Sequence, residues 1–268
     1  MYFLRGAGRI AEVLTRTGGF SPRVARRRLL ETTRYVLEVT RSPDSIKPGG
    51  DGHASSVRVR LLHAAVRRQI TKLARTRPGY WNGDELGVPV NDLDCVLTIC
   101  AFSTIVLHMG LPRQGVWLTG QEIADYTALW RLVAFYLGTP TDPFANPEQA
   151  RAWMEALLVS EVQPTETSRA LAANILSSLD KNYPLYASRE YMGALVWWMN
   201  GDGLSKKLGM KRPSLYCQLL VVGHCVFVMT WKYVHVLFPG RDKDLIAVRK
   251  ENPSLLFIFS TSVQGKVL

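Results

Sequence analysis

The stretch Val57-Arg58-Val59-Arg60-Leu61-Leu62-His63-Ala64-Ala65-Val66-Arg67-Arg68 holds no helix-breaking residue, and its side chains separate onto distinct helical faces. Apolar residues recur along it at spacings of three and four, which predicts one buried stripe made of Val59, Leu62, Val66 and Ile70. Arg60, His63 and Arg67 recur at the same spacings and therefore share an adjacent face. We expect one long helix, from about residue 53 to residue 75, that buries one side.

His63 lies between two cations on this helix, and the cations disfavour a further positive charge on its ring. They therefore lower the pKa of the imidazole and favour its neutral form, which is the form that coordinates a metal. Arg60 and Arg67 would in turn need an anionic partner, and the carboxylates of a cofactor such as haem would supply one.

The same spacing also fits a purely structural role. His63 would then be a hydrogen-bonded residue of the core, and Arg60 and Arg67 would pair with acidic side chains of another helix. Spacing alone leaves both interpretations open.

The formal charge of +11 is concentrated in the first third of the chain, where residues 1–77 hold 17 Lys and Arg against 5 Asp and Glu. Such an excess can face nucleic acid, an anionic membrane or an anionic cofactor. No nucleic-acid motif accompanies it, and its only lysines are Lys47 and Lys72. Arginine scattered among apolar residues suits carboxylate recognition better than tracking of phosphates, so we expect no nucleic-acid partner.

Helix signals recur along the chain, and no window shows the alternation of a β-strand. Predicted helix starts are Ser21-Pro22, Asn91, the capping box Thr119-Gly120-Gln121-Glu122, and Asn146-Pro147. Predicted ends are Gly110 and Gly138, and an interruption is expected near residues 200–203. The expected fold is all-α, a single domain of eight to ten helices with short loops.

Residues 214–231 carry no formal charge and follow four basic residues, Lys206, Lys207, Lys211 and Arg212. Eighteen such residues reach the lower edge of transmembrane length, but a central helix of a bundle has the same composition. The first 20 residues show no secretory signal, and the four cysteines match no zinc pattern. We expect reduced thiols and a cytoplasmic or membrane-associated protein.

Several motifs resemble the rubber oxygenase catalytic domain family, which includes latex clearing protein and the MpaB-type oxygenases. The resemblance is carried by residues 60–67 following Pro48-Gly49-Gly50-Asp51-Gly52, with Arg28-Leu29-Leu30-Glu31-Thr32 before and Val88-Pro89-Val90-Asn91-Asp92-Leu93-Asp94 after. Residues 98–103 and 201–204 extend it in the same order. It covers about residues 15–210 as the catalytic domain and leaves 211–268 as an apolar helix and tail.

The resemblance implies an all-α domain that holds haem b, with His63 as the iron ligand and with Arg60 and Arg67 pairing with the propionates. It implies that Arg28, Glu31 and Thr32 line the distal side. It further implies an oxygenase that uses dioxygen to cleave a carbon–carbon double bond in an apolar, isoprenoid-like or prenylated substrate.

Two departures from the family pattern leave an alternative open. Glu31 stands where latex clearing protein has lysine, so it acts either as a base on an allylic proton or only as an ion-pair partner of Arg28 or Arg34. The chain also begins late relative to the family. The alternative is therefore a truncated or degenerate member: a haem-binding or membrane-associated helical protein without catalysis.

Overall fold

The structure is a computed structural model that describes residues 6–237 except 19, 22 and 182–185, and this part contains helices and turns but no β-strand. Nine of its helices have 11 residues or more, which confirms the predicted all-α class. In chain order the α-helices are α1 Gly6–Arg16, α2 Ala25–Thr40, α3 Pro43–Ile46, α4 Asp51–Thr76, α5 Gly83–Leu86, α6 Asp92–Phe102, α7 Gly120–Leu137, α8 Pro147–Ser160, α9 Glu166–Leu179, α10 Arg189–Lys207 and α11 Leu215–Leu237.

Three predicted helix starts are confirmed by side chains that cap the first turn. The oxygens of Asn91, Thr119 and Asn146 accept hydrogen bonds from backbone N–H groups three residues on, at 2.9, 3.2 and 2.8 Å. The Thr119 capping box is complete. Gly138 ends α7 with a φ of +74°, and α10 is interrupted at Gly201, both as predicted.

One predicted helix start is wrong, and one predicted helix is interrupted before its predicted end. Helix α2 begins at Ala25 and its N-cap residue, Val24, makes no side-chain cap, so Ser21 does not start it; Pro22 lies outside the described residues. Helix α6 ends at Phe102 instead of Gly110, because Ser103 leaves helical geometry and a π-helical turn follows over Val106–Gly110. All four cysteines are free, as expected.

The main core lies where α6, α7 and α8 meet α2, around the fully buried side chains of Trp130 and Phe144. The buried stripe predicted for α4 is only partly correct. Ile70 is buried, whereas Leu62 is 45% exposed and its neighbour Leu61 is 64% exposed. The surface through which α4 packs against the other helices is therefore narrower than its apolar residues suggest.

Small residues at the start of α4 explain this narrow contact. A Cβ atom at Gly52 would lie 2.7 Å from the carbonyl oxygen of Glu38 and 3.0 Å from Val39 Cα, so the backbones of α2 and α4 meet directly there. One turn further on, the Ser56 hydroxyl lies 3.2 Å from the Tyr35 hydroxyl, and Ser55 donates to the Glu38 carboxylate. The two helices consequently run antiparallel at close range, and this contact orients the rest of α4.

A buried cluster of charges ties α1 to the core. Arg9 of α1 contacts Asp94 of α6 at 2.9 Å and Glu161, at the end of α8, at 3.7 Å, and all three residues are buried. Burial raises the pKa of the Asp94 carboxyl, while the hydrogen bond from Arg9 opposes that shift. One cation therefore neutralises two carboxylates, of which Asp94 has the closer contact.

Replacing Arg9 by Met should lower the free energy of unfolding by about 3 kcal/mol, because it leaves two buried carboxylates without a cation. Glu161→Gln should cost much less, since the Glu161 oxygens accept no hydrogen bond in the described part of the chain. Urea denaturation of both variants measures the difference. Equal losses would contradict the assignment of Asp94 as the main partner of Arg9.

The pH dependence of the Asp94 contribution follows from its raised pKa. The folded state holds the proton more tightly than the unfolded state, so the stabilisation present below the unfolded pKa of 3.8 is lost as pH rises through the folded pKa. The free energy of unfolding of the wild type minus that of Asp94→Asn should therefore fall as the pH rises from 3.8 through the folded pKa. A difference that grows with pH would show that Arg9 lowers the pKa of Asp94 by more than burial raises it.

Candidate functional site

Helix α4 carries His63 on the side that faces α2 and α7, with Arg60 one turn before it and Arg67 one turn after it. The His63 ring is half-buried and makes no hydrogen bond to any residue that the structure describes. Burial, and secondarily the charge of Arg67, lower the pKa of the ring. At neutral pH the imidazole is therefore uncharged, and the ring nitrogen that carries no proton has a lone pair available for binding.

Arg60 lies across the end of α7. A Cβ atom at Gly138 would lie 3.0 Å from the guanidinium carbon of Arg60, so a larger residue at 138 would require this side chain to shift. Arg60 forms no ion pair with a carboxylate among the residues described. The guanidinium is thus held against backbone without an anionic partner.

Arg67 is held by the loop that precedes α6. Its Nε donates to the Pro89 carbonyl at 3.3 Å and its Nη2 donates to the Val90 carbonyl. Val90 has a φ of +54°, a left-handed conformation that costs energy in a β-branched residue. The charge of Arg67 is close enough to Cys95 to oppose the rise that burial causes in the pKa of that thiol.

Neither arginine has the acidic partner from another helix that the structural interpretation of the sequence required, within the part of the chain that the structure describes. The hydrogen bonds of Arg67 go to carbonyl oxygens, which are neutral. Two exposed cations therefore flank a neutral imidazole, and neither has a carboxylate partner among the described residues.

The residues predicted from α2 lie level with His63 but form no hydrogen bond with it. Because α2 and α4 run antiparallel from the Tyr35–Ser56 pair, residues 28–32 lie alongside residues 59–63. Their side-chain hydrogen bonds and ion pairs stay within α2. Arg28 Nη1 lies 3.2 Å from Glu31 Oε2, Arg27 Nε lies 3.5 Å from Glu31 Oε1, and Thr32 Oγ1 donates to the Arg28 carbonyl at 2.9 Å.

Glu31 thus forms an ion pair with Arg28, one of the two contacts proposed from the sequence, whereas Arg34 pairs with Glu38. The side chain of Glu31 is 52% exposed. Such an exposed pair contributes little to stability.

Sequence reasoning missed two parts of this site. Gly138 was recognised as a helix end, but its close approach to Arg60 depends on how α7 packs against α4. Pro89 and Val90 belong to the motif at residues 88–94, but no sequence signal shows that their main-chain oxygens accept hydrogen bonds from Arg67.

The described residues include no group of three or more His, Cys, Asp or Glu side chains that could bind a metal ion without a cofactor. The iron of a haem brings four porphyrin nitrogens and needs a single protein ligand on one side. A neutral imidazole between these two cations suits the iron and the propionates of haem. The donor set therefore fits haem.

Substituting Gly138 by Ala should lower the free energy of unfolding by about 1–2 kcal/mol, because the new methyl group is strained at this φ and displaces Arg60. Gly79→Ala is the matched control, with a φ of +78° and no atom within 4 Å. Gly138→Ala should lose more unfolding free energy than Gly79→Ala, and this difference should disappear when Arg60 is also replaced by Ala. A double-mutant cycle measures it. An excess that persists without Arg60 would contradict the contact.

Comparison with solved structures finds the same architecture in latex clearing protein LCP in the closed state. The TM-score is 0.67 at 18% sequence identity, over 99% of this chain and 68% of that one. At this identity the likeness establishes the fold. No curated protein sequence matches the chain.

The family comparison rests on sequence and covers most of the chain. The matching family model is described as ER-bound oxygenase mpaB/B′/Rubber oxygenase, catalytic domain, and it matches residues 3–230. This span contains His63, both flanking arginines and the α2 motif. The chain therefore belongs to the mpaB/B′ and rubber oxygenase catalytic domain family.

Proposed function

We propose that the chain is a haem b-dependent oxygenase that cleaves a carbon–carbon double bond in an apolar, isoprenoid-like or prenylated substrate with dioxygen. Membership of an oxygenase family supports the reaction class. The observation that carries the haem assignment is the neutral His63 ring between two cations: among the described residues the ring has no hydrogen bond and the cations have no carboxylate partner.

His63 would hold the iron, and the two arginines would pair with the propionates. His63 would offer iron the lone pair of a neutral ring nitrogen. Because the pKa of the ring is lowered, iron does not have to displace a proton from that nitrogen at neutral pH. Arg67 is oriented by hydrogen bonds to two main-chain carbonyls, whereas the exposed guanidinium of Arg60 lies beside Gly138 and keeps its donors available for a carboxylate.

Haem, when bound, supplies the iron chemistry that activates dioxygen. The proposed net reaction breaks one double bond of the substrate and leaves one oxygen atom of dioxygen on each carbon as a carbonyl. The protein would hold the cofactor and keep water away from the apolar substrate. We assign Arg28 and Thr32 to the distal side on the strength of the family motif.

The second candidate is a haem-binding protein of the same family without catalysis. It is favoured by the position of Glu31, whose carboxylate is exposed and paired with Arg27 and Arg28 rather than directed at His63. A base that acts on substrate would have to leave these partners.

Purified chain expressed with haem supplied should show a Soret band, and His63→Ala should lower its haem content at least about tenfold. His53→Ala on the same helix is the matched control and should keep full haem content, because the ring of His53 packs against Tyr136. Glu31→Gln should also keep it. A colourless wild type, or His63→Ala with full haem content, would refute the haem assignment.

Oxygen uptake by the haem-loaded chain separates the two candidates. With polyisoprene or a prenylated aromatic as substrate, the oxygenase consumes dioxygen and forms carbonyl products that mass spectrometry detects. Haem-loaded chain that shows neither uptake nor carbonyl products supports the non-catalytic alternative.

A further inference from the structure

One side of α11 exposes apolar side chains along about 30 Å, the length of the 20 residues from Leu215 to Val234. Leu215 is 71% exposed and Leu219 is 62% exposed, and the side chains that follow on this side are also apolar. We call this surface the α11 face; its main members are Leu215, Leu219, Val222, Val226, Phe227 and Trp231. Soluble proteins seldom leave so long a continuous apolar surface in water.

The opposite side of the helix is anchored to the protein. Cys217, Val221 and Val228 are buried, and the first two form a cluster with Ala194 and Leu195 of α10. This packing fixes which side of α11 faces outward. It also distinguishes α11 from an isolated span, which would present apolar residues to lipid on every side.

Within the part of the chain that the structure describes, two segments are long and apolar enough to cross a membrane, and they differ in their burial. Asp92–Gly110 is 61% buried and belongs to the main core, whereas Leu215–Val234 is only 17% buried. The uncharged stretch noted in the sequence therefore gives an outward-facing surface rather than a central core helix.

Positive charge surrounds the beginning of the α11 face. Lys206, Lys207, Lys211 and Arg212 are all exposed there. The sequence holds no acidic residue between Asp202 and Asp242. Asp202 forms an ion pair with Lys206 at 3.6 Å and also interacts with the charge of Arg212, so one carboxylate stands against four cations here. Basic side chains beside an apolar surface match the headgroups of anionic phospholipids.

Aromatic side chains mark the other end of the face. The rings of Phe227 and Trp231 lie 6.1 Å apart, and the Tyr233 hydroxyl accepts a hydrogen bond from the backbone N–H of Trp117 at 3.4 Å. The Trp117 side chain is itself largely exposed. Trp and Tyr favour the boundary between lipid headgroups and acyl chains, because one part of each ring system is apolar and another is polar.

We propose that the α11 face docks the protein on a bilayer containing anionic phospholipids, with α11 lying in the interface and the basic residues contacting the headgroups. Charge complementarity and the near absence of polar side chains on the face favour lipid over a protein partner, whose interface would carry hydrogen bonds. The proposal does not depend on haem.

Flotation of the full 268-residue chain with vesicles tests the docking. The chain should float with vesicles of 70% phosphatidylcholine and 30% phosphatidylserine, and less with phosphatidylcholine alone. The double substitution Leu219→Glu and Val226→Glu should reduce the bound fraction at least tenfold. Val159→Glu is the matched control, because Val159 is 82% exposed on α8, and it should leave binding unchanged.

The basic residues are tested separately. Changing Lys206, Lys207 and Lys211 to Gln should remove the preference for phosphatidylserine while some binding to both vesicles persists. Circular dichroism checks that every variant stays helical. Wild-type chain that does not float, or that floats equally well with the two glutamates, would overturn the proposal. A dimer in light scattering that the glutamates dissociate, without vesicle binding, would assign the face to a second copy and overturn it equally.

Discussion

The close contact between α2 and α4 positions everything else at the candidate site. It depends on the missing side chain of Gly52, which lets the α4 backbone lie directly against the carbonyl of Glu38. Ser55 and Ser56 then hydrogen-bond across the same contact. With the start of α4 fixed, its helical periodicity sets the direction of His63 two to three turns later. Gly52 of the motif 48–52 thus has a structural reason in the geometry of the contact.

The fold could be predicted from sequence because local signals carry most of it. Asn91, Thr119 and Asn146 cap helices where the sequence indicates, and Gly138 ends α7. Burial was harder to predict, since Leu61 and Leu62 are as apolar as any core residue. Their exposure follows from tertiary packing, in which small residues rather than leucines make the contact of α4 with α2.

The site was predictable in part. The spacing of Arg60, His63 and Arg67 indicated the central group, and the structure gives both arginines neutral surroundings in place of carboxylates. The positions of Gly138 and of the Pro89 and Val90 carbonyls depend on chain segments 22 to 78 residues away from the arginines. No local pattern reports such contacts. The roles of Arg28, Glu31 and Thr32 stay predictions.

The central claim is that the His63 nitrogen binds iron, and replacement of the side chain by a free ligand tests it most directly. His63→Gly removes the imidazole and leaves space for a small molecule. The account predicts that haem binding is lost in this variant and returns, with the wild-type absorption spectrum, when imidazole is added. Haem binding that is unaffected by the substitution, or that added imidazole does not restore in a folded variant, would contradict it.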